Sequence, residues 1–225
     1  MEDRAGTGLY LELASELTAP EYEAQRVGEM LALDGVERAT WWDNLCPLRT
    51  DLPRVIDEFV TLGAHEVTET FRTDTVPAMT GITGHHFRRT ARPGQGRLMD
   101  RPTLGLSLVL IAPTSPDLAQ ALRDWGDFVH ISAIAAASVP GYTMITPYEN
   151  ALGVDTPADD PRYLHLYEMD TADAEQAFQS MTPLVAERLG GRTTPEFRDW
   201  AWHDSLRIIY VNSFRRVGER RRRSP

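Results

Sequence analysis

The sequence carries a strand followed by a helix in each of its halves, and this repetition restricts the possible folds. In both strands leucines occupy every second position, so that they lie on one face. The alternating residues are Leu9, Leu11 and Leu13 in the first half, and Leu104, Leu106, Leu108 and Leu110 in the second. A helix start follows each strand: Thr18 with Glu21 as a possible capping box, and Ser115 with Pro116.

Further short matches follow these two units in the same order. They pair "WWDN" (41–44) with "PYEN" (147–150), "LGAHEVT" (62–68) with "LHLYEMD" (164–170), and "HFRR" (86–89) with "SFRR" (213–216). Such an ordered series suggests an internal duplication. In the second half a helix over 171–189 separates strands at 163–169 and 205–214, which completes a βαββαβ order of the ferredoxin-like type.

The predicted boundaries follow from this repeat. The first ferredoxin-like half covers 1–91 and is irregular, since "DLPRVIDEFVTLG" suggests an inserted helix at about 52–62. A turn-rich linker over 92–103 leads to the second half at 104–217. The basic residues of 218–225 are expected to form a frayed, solvated tail.

Composition excludes several classes of function. A net charge of −10 over 225 residues opposes binding to nucleic acid, because contact with phosphates requires a basic surface. The single cysteine, Cys46, cannot form an intrachain disulfide. No apolar stretch is long enough to span a bilayer, and "MEDRAGTGLY" lacks the apolar core of a signal peptide. We therefore expect a cytoplasmic protein that binds neither nucleic acid nor membranes.

The segment "DWGDFVHISAIAAASVPGYTMITPYEN" (124–150), together with "PRYLHLYEMD" (161–170), resembles the EthD-like part of the dimeric α+β barrel superfamily. The shared pattern is an aromatic residue, a histidine a few positions later, a Pro-Gly turn, a strand, and then a strand with a tyrosine and an acid. In the first half, "WWDN" (41–44) and "RTDLPRVIDEFVTLGAHEV" (49–67) look like sequences of the same group.

This resemblance implies an α+β fold in which two ferredoxin-like βαββαβ units pack their sheets into a barrel. Such barrels usually form by dimerisation, but the duplication would place both units in one chain as an intramolecular, pseudo-dimeric barrel. A monomer or a homodimer is then expected. The resemblance also implies a small-molecule pocket between the sheet and the helices. Proteins of this group include cyclases, isomerases, cofactor-free monooxygenases and haem enzymes, so the fold alone selects no reaction.

His130 is the candidate catalytic residue. On an unbroken helix it would share a face with the small residues Gly126, Ala133 and Ala137, which would leave space beside the imidazole. Its ordinary pKa suits proton transfer near neutral pH. The resemblance also maps the recurring histidine of the group onto His130. The alternative is a partly buried histidine that hydrogen-bonds to the backbone.

Candidate substrate-binding residues surround the same segment in the sequence. They are Trp125, Tyr142, Tyr148, Tyr167 and His165, which are expected to help line the pocket, although core packing is the common reason for such aromatic residues. No metal site is expected, because His85 and His86 would point to opposite faces of a strand and no HxxxH, CxxC or HExxH pattern occurs.

The leading functional hypothesis is an enzyme without a cofactor that acts on an aromatic or polyketide-like compound, with His130 as acid and base. Cyclisation, isomerisation, dehydration and oxygenation all stay open. Two alternatives use the same pocket: a non-catalytic protein that binds a small ligand, and a haem protein in which His130 or another histidine is the axial ligand.

Overall fold

The strands of the computed structural model form one antiparallel sheet that closes on itself. The structure describes residues 7–47, 49–52, 55–92, 94–96 and 102–222. Within these ranges the strands are β1 Gly8–Ala14, β2 Val36–Asn44, β3 Thr61–Val67, β4 Ile82–Arg89, β5 Gln95–Gly96, β6 Gly105–Pro113, β7 Tyr142–Asn150, β8 Tyr163–Met169 and β9 Leu206–Arg221.

The two halves have the same strand order. The first half is ordered β4-β1-β3-β2 and the second β9-β6-β8-β7, which is the ferredoxin-like order in each case. The second strand of each half pairs with the fourth strand of the other, so that β2 joins β9 and β4 joins β7. These two junctions close eight strands into a barrel within one chain, which confirms the predicted fold.

The helices cover the outer face of the sheet. The helical segments are α1 Ala19–Tyr22, α2 Gly28–Ala32, α3 Ala119–Trp125, α4 Ile131–Ala137, α5 Ala174–Arg188 and α6 Pro195–Ala201. A π-helical turn, Glu23–Val27, joins α1 to α2, and another, Gly126–His130, joins α3 to α4. The first half lacks a counterpart of α5, since the described residues between β3 and β4 contain only a 3-10 turn at Thr73–Thr75.

The barrel interior is a packed apolar core. The leucines that alternate in β1 and β6 point inward, and Leu11 and Leu108 are fully buried. Phe87 from β4 and Phe214 from β9 join the same cluster. Because these side chains fill the interior, the larger clusters of polar side chains lie on the outer face of the sheet, under the helices.

The predicted helix at about 52–62 is wrong. Residues 55–60 are not helical, 61–62 begin β3, and 53–54 lie outside the described residues. The backbone of this segment bonds to the barrel instead, with Val55 N donating to Ile209 O at 2.8 Å and Val60 N to Ala14 O at 2.9 Å. Phe59 is buried against Phe214, with 5.7 Å between ring centroids. Burial of this ring at the barrel end outweighs the helical spacing.

The predicted basic tail and linker also need correction. Residues 218–221 belong to β9 and pair with Trp41 through Arg38 of β2, while 223–225 lie outside the described residues. The strand continues because Gly218, which has no side chain, accommodates the Trp41 indole: a Cβ there would lie 2.1 Å from the ring. In the linker, Gln95–Gly96 forms β5 against β7.

Like Gly218, Gly63 has no side chain at a point where an aromatic ring lies against the strand. Substitution of Gly63 tests how far the fold depends on such contacts. A Cβ at Gly63 would lie 1.9 Å from the Tyr22 hydroxyl, whereas nothing lies within 4 Å of one at Gly28. We expect Gly63→Ala to destabilise the fold by about 1–3 kcal/mol, since Tyr22 must move. The control Gly28→Ala should stabilise by about 0.5–1 kcal/mol, because alanine favours a helix. Urea denaturation measures both, and equal effects would contradict the packing.

Candidate functional site

His165 on β8 is the polar group over which the helices of the second half close. Its neighbours in the strand, Leu164 and Leu166, belong to the barrel core, so the His165 side chain points outward. The π-helical turn covers it at Gly126, where a Cβ would lie 2.9 Å from the imidazole Cε1. The absence of a side chain at Gly126 therefore allows the helix to lie directly on this histidine.

His130 ends the same π-helical turn and is fixed to α6. The imidazole is stacked on the Trp200 indole, with 5.2 Å between centroids and an angle of 4°. His130 Nδ1 lies 2.9 Å from the Trp200 carbonyl, and the indole N–H of Trp200 donates to the His130 carbonyl at 3.2 Å. Because a carbonyl only accepts, Nδ1 carries the proton and Nε2 keeps the lone pair. Burial lowers the pKa of His130, which favours this neutral form.

The expected space beside His130 is not formed by the small residues of an unbroken helix. The π-helical turn interrupts that helix at Gly126–His130. Gly126 faces His165, and Trp200 occupies one face of the His130 ring. His130 lines neither the small cavity beside His165 nor the larger groove on the same face of the sheet.

The small cavity beside His165 has a volume of about 10 Å³, enough for one water molecule. Its lining includes a cation, a carboxyl group and an imidazole, which belong to Arg123, Asp127 and His165. Burial, and then the nearby His130, lower the pKa of His165 to about 3, whereas burial raises the pKa of Asp127. Both shifts favour the uncharged form, and clustered shifts of this kind are typical of functional sites.

The larger groove has a volume of about 300 Å³ and is lined mainly by β5, β7 and the end of α4. Ile145 lines the groove and Pro147, two residues along β7, lines the small cavity. Their partners on β8 are Tyr167 and His165. Two strand residues span about 7 Å, so the groove and the cavity are close neighbours.

The structure brings some of the predicted site residues together and separates others. Trp125 lies beside His130, with 4.9 Å between ring centroids. His165 and Tyr148 line the small cavity, although Tyr148 also belongs to the barrel core. Tyr142 lines the groove, and Tyr167 packs edge-on against it at 5.8 Å.

The outer face of the first half holds a buried ionic network that sequence patterns did not predict. Glu12, Tyr22, Arg26 and His65 are each at most 1% exposed. Arg26 donates to Glu12 through Nη2 at 2.6 Å and through Nε at 3.0 and 3.1 Å. Arg26 also bonds to the carboxylate of Glu29. The sequence offered one indication of this network, which is Glu12. It is a charged residue between Leu11 and Leu13, on the strand face that a helix is expected to cover.

The charges and hydrogen bonds of this network determine which of its atoms carry protons. Burial alone would raise the pKa of Glu12, but bonds from His65, Arg26 and Tyr22 outweigh it and lower the pKa to about 2. The Tyr22 hydroxyl donates to the Glu12 carboxylate at 2.6 Å, so its oxygen accepts from His65 Nε2 at 2.8 Å. His65 Nδ1 is buried and has no hydrogen-bond partner among the described residues.

Comparisons with known proteins add evidence on the fold. No protein-family model and no curated protein match the sequence. A monooxygenase-like structure from Fusobacterium nucleatum subsp. nucleatum ATCC 25586 is similar at 8% identity and a TM-score of 0.54, covering 96% of this chain and 95% of that chain. An anthrone oxidase-like protein has 13% identity and a TM-score of 0.51, with coverage of 98% and 94%. The fold is that of the dimeric α+β barrels.

A third similar structure is described as a major regulator of staphylococcal pathogenesis, with 10% identity, a TM-score of 0.51 and coverage of 94% and 99%. At such identities the likeness concerns the fold alone. In the part of the chain that the structure describes, no helix is both long and apolar enough to cross a membrane.

Removal of one partner tests the ionic network. We expect Arg26→Met to destabilise the protein by about 3–5 kcal/mol, because Glu12 would be left buried without its cation. Arg72→Met is the matched control: Arg72 pairs with Asp74 at the surface, where both side chains are largely exposed. Its effect should stay within about 0.5 kcal/mol. Chemical denaturation measures both, and comparable losses would show that the buried pair is not structurally important.

The low pKa of Glu12 predicts an acid-sensitive stability. A carboxylate with a pKa of about 2 in the folded state and 4.5 ordinarily stabilises the fold fully above pH 4.5 and loses this contribution as the pH falls towards 2. The loss should reach about 3 kcal/mol. The unfolding free energy of the wild type should therefore fall more steeply over this window than that of Glu12→Gln. Parallel pH profiles would contradict the assignment.

Proposed function

We propose that the protein is a cytoplasmic enzyme that needs no cofactor and acts by proton transfer on a small aromatic or polyketide-like molecule. One observation carries this proposal: a neutral, buried His165 borders a cavity that adjoins a groove of about 300 Å³ on the same face of the sheet. The groove reaches the lower end of the size range of small-molecule sites.

The groove suits the body of such a molecule. Ile134, Met144 and Ile145 supply apolar walls, and Tyr142 supplies an aromatic one. A flat ring seated here would extend along β7 towards His165, and the small cavity must widen to admit its reacting end. A neutral imidazole accepts a proton from an acidic C–H or O–H group, and the negative charge that develops on the substrate would raise the low pKa of His165 during this transfer. Such a step can begin an isomerisation, a cyclisation or a dehydration, or an oxygenation when dioxygen is the co-substrate.

Within this proposal His165 is the base and His130 a positioning residue. His130 ties the π-helical turn to α6 through the Trp200 carbonyl and so fixes Gly126 over His165. The role of His130 as the catalytic acid and base stays a prediction. The lone pair on His130 Nε2 is compatible with that role. The likeness to an anthrone oxidase-like protein supports fused aromatic rings as the first compounds to test.

The haem alternative has weaker support. His130 meets one requirement of an axial ligand, since a carbonyl holds Nδ1–H and leaves Nε2 to coordinate. The surroundings do not fit a porphyrin, because Trp200 covers the ring and the cavity at His165 has the volume of one water. Among the described residues no three His, Cys, Asp or Glu side chains converge as metal ligands. A Soret band in the purified protein would favour haem instead.

Turnover tests the proposed function. The wild type is incubated with a panel of anthrones, naphthols and aromatic acids, and products are followed by absorbance and mass spectrometry. We expect His165→Gln to lower the rate on the order of a hundredfold or more with little change in melting temperature. His86→Gln, a half-buried histidine on β4, is the control and should retain the rate.

His130→Gln separates its two roles. As a positioning residue it should lower the rate less than His165→Gln and leave the pH profile of the reaction unchanged. Loss of one limb of that profile would make His130 the acid or base. Full activity in a folded His165→Gln protein would exclude the proposed mechanism, and saturable binding without turnover across the panel would favour a non-catalytic binding protein.

A further inference from the structure

Arg123 and Asp127 line the small cavity, and further charged side chains pair with them beside it. Arg92 donates to Asp124 at 2.5 Å and lies over the Phe128 ring, with 4.9 Å from its guanidinium carbon to the centroid. Arg92 Nη1 also lies 3.1 Å from Asp127 Oδ2. Arg123, which lines the cavity with Asp127, uses Nη1 to bond Glu149 at 3.2 Å.

Several polar atoms of these residues are buried without a hydrogen-bond partner among the described residues. They are Arg92 Nη1, Arg123 Nε and Asp127 Oδ2. Arg92 Nη1 and Asp127 Oδ2 are close enough for an ion pair, but their angles are not those of a hydrogen bond. A buried N–H group without a hydrogen-bond acceptor lowers the stability of the folded protein. Arg123 lines the cavity, so its Nε–H is available to an oxygen of a ligand there. Arg92 does not line the cavity, and its Nη1 becomes available where a ligand oxygen takes the place of the Asp127 carboxylate.

We propose that displacement of the Asp127 side chain widens the cavity and admits the carboxylate of a small aromatic acid, with Arg92 and Arg123 as the binding residues. This proposal rests on the proposed function for the location of the site and adds the class of substrate. Guanidinium groups are suited to it, because their fixed N–H donors match the geometry of a carboxylate.

The charge balance predicts how binding depends on pH. Arg123 and Asp127 line the cavity. With their ion-pair partners they form a cluster of three cations and three anions: Arg92, Arg123 and Arg162, and Asp124, Asp127 and Glu149. An additional anion is tolerated most easily when one carboxyl group takes up a proton. Asp127 is the group suited to do so, because burial raises its pKa. The groups that face it are Arg92, from the segment before β5, Arg123 and Asp124 from α3, and His165 across the cavity. Binding should therefore weaken as the pH rises.

A purely structural role of the same residues makes a different prediction. If Arg92 and Asp127 only stabilise the fold, Asp127→Asn should weaken binding or leave it unchanged. If Asp127 competes with the ligand for the two arginines, Asp127→Asn should bind the ligand more tightly, because the competing charge is gone. The direction of this change separates the two explanations, even where an arginine variant proves too unstable to study.

Calorimetric titration with 1-naphthoate and its neutral amide, 1-naphthamide, tests the proposal without relying on turnover. The wild type should bind naphthoate at least about tenfold more tightly than naphthamide. Its affinity for naphthoate should rise as the pH is lowered across the range in which the protein stays folded. Arg123→Gln and Arg92→Gln should each weaken naphthoate about tenfold and leave naphthamide unchanged. Asp127→Asn should tighten naphthoate several-fold and remove its pH dependence. Arg72→Gln, at an exposed pair, is the control.

Three results would overturn the proposal: equal affinity for the amide, no binding of naphthoate by the wild type at millimolar concentration, or weaker binding by Asp127→Asn. Failure of the proposed function is distinguishable, since His165→Gln can lose turnover, or the wild type can lack it, while naphthoate still binds with the predicted dependence on Arg92, Arg123 and Asp127.

Discussion

Two strand pairings, β2 with β9 and β4 with β7, convert two four-stranded sheets into one closed barrel. Closure leaves no unpaired edge among these eight strands and encloses the inward leucines in a common apolar core. The ionic network around Glu12 and the imidazole of His165 then lie on the outer face. The helices must cover that face, so the chemistry of this chain is decided by the groups that lie between sheet and helix.

The two halves solve the packing of that outer face in opposite ways. Gly63 and His165 hold the same position in β3 and β8, the third residue of each strand. In the first half the strand has the glycine and the helix supplies Tyr22 to cover it; in the second the strand has the histidine and the helix supplies Gly126. The first arrangement leads to a filled, charge-compensated network, whereas the second leaves His165 beside a cavity.

The sequence predicted those parts of the fold that local periodicity determines. Alternating leucines located β1 and β6, and the ordered matches located the strands of both halves. Long-range contacts determine the rest: Phe59 leaves a helical pattern to fill the barrel end, and Gly218 extends β9 because Trp41 lies across it. The cluster of Trp125, His130 and His165 was predicted in part, but its link to Trp200 was not, since seventy residues separate His130 from Trp200. Asp127 and Arg92 carried no signal.

The π-helical turn explains why the predicted face of His130 differs from the observed one. Each additional residue in a helical turn rotates the subsequent residues by about 100° relative to a regular α-helix. Regular helical spacing therefore groups His130 with the wrong neighbours. The same turn directs Gly126 onto His165 and His130 onto Trp200. A structural role and a chemical role of His130 are therefore compatible. The hydrogen bond from Nδ1 to the Trp200 carbonyl holds the helix over His165, and it also leaves a lone pair on Nε2.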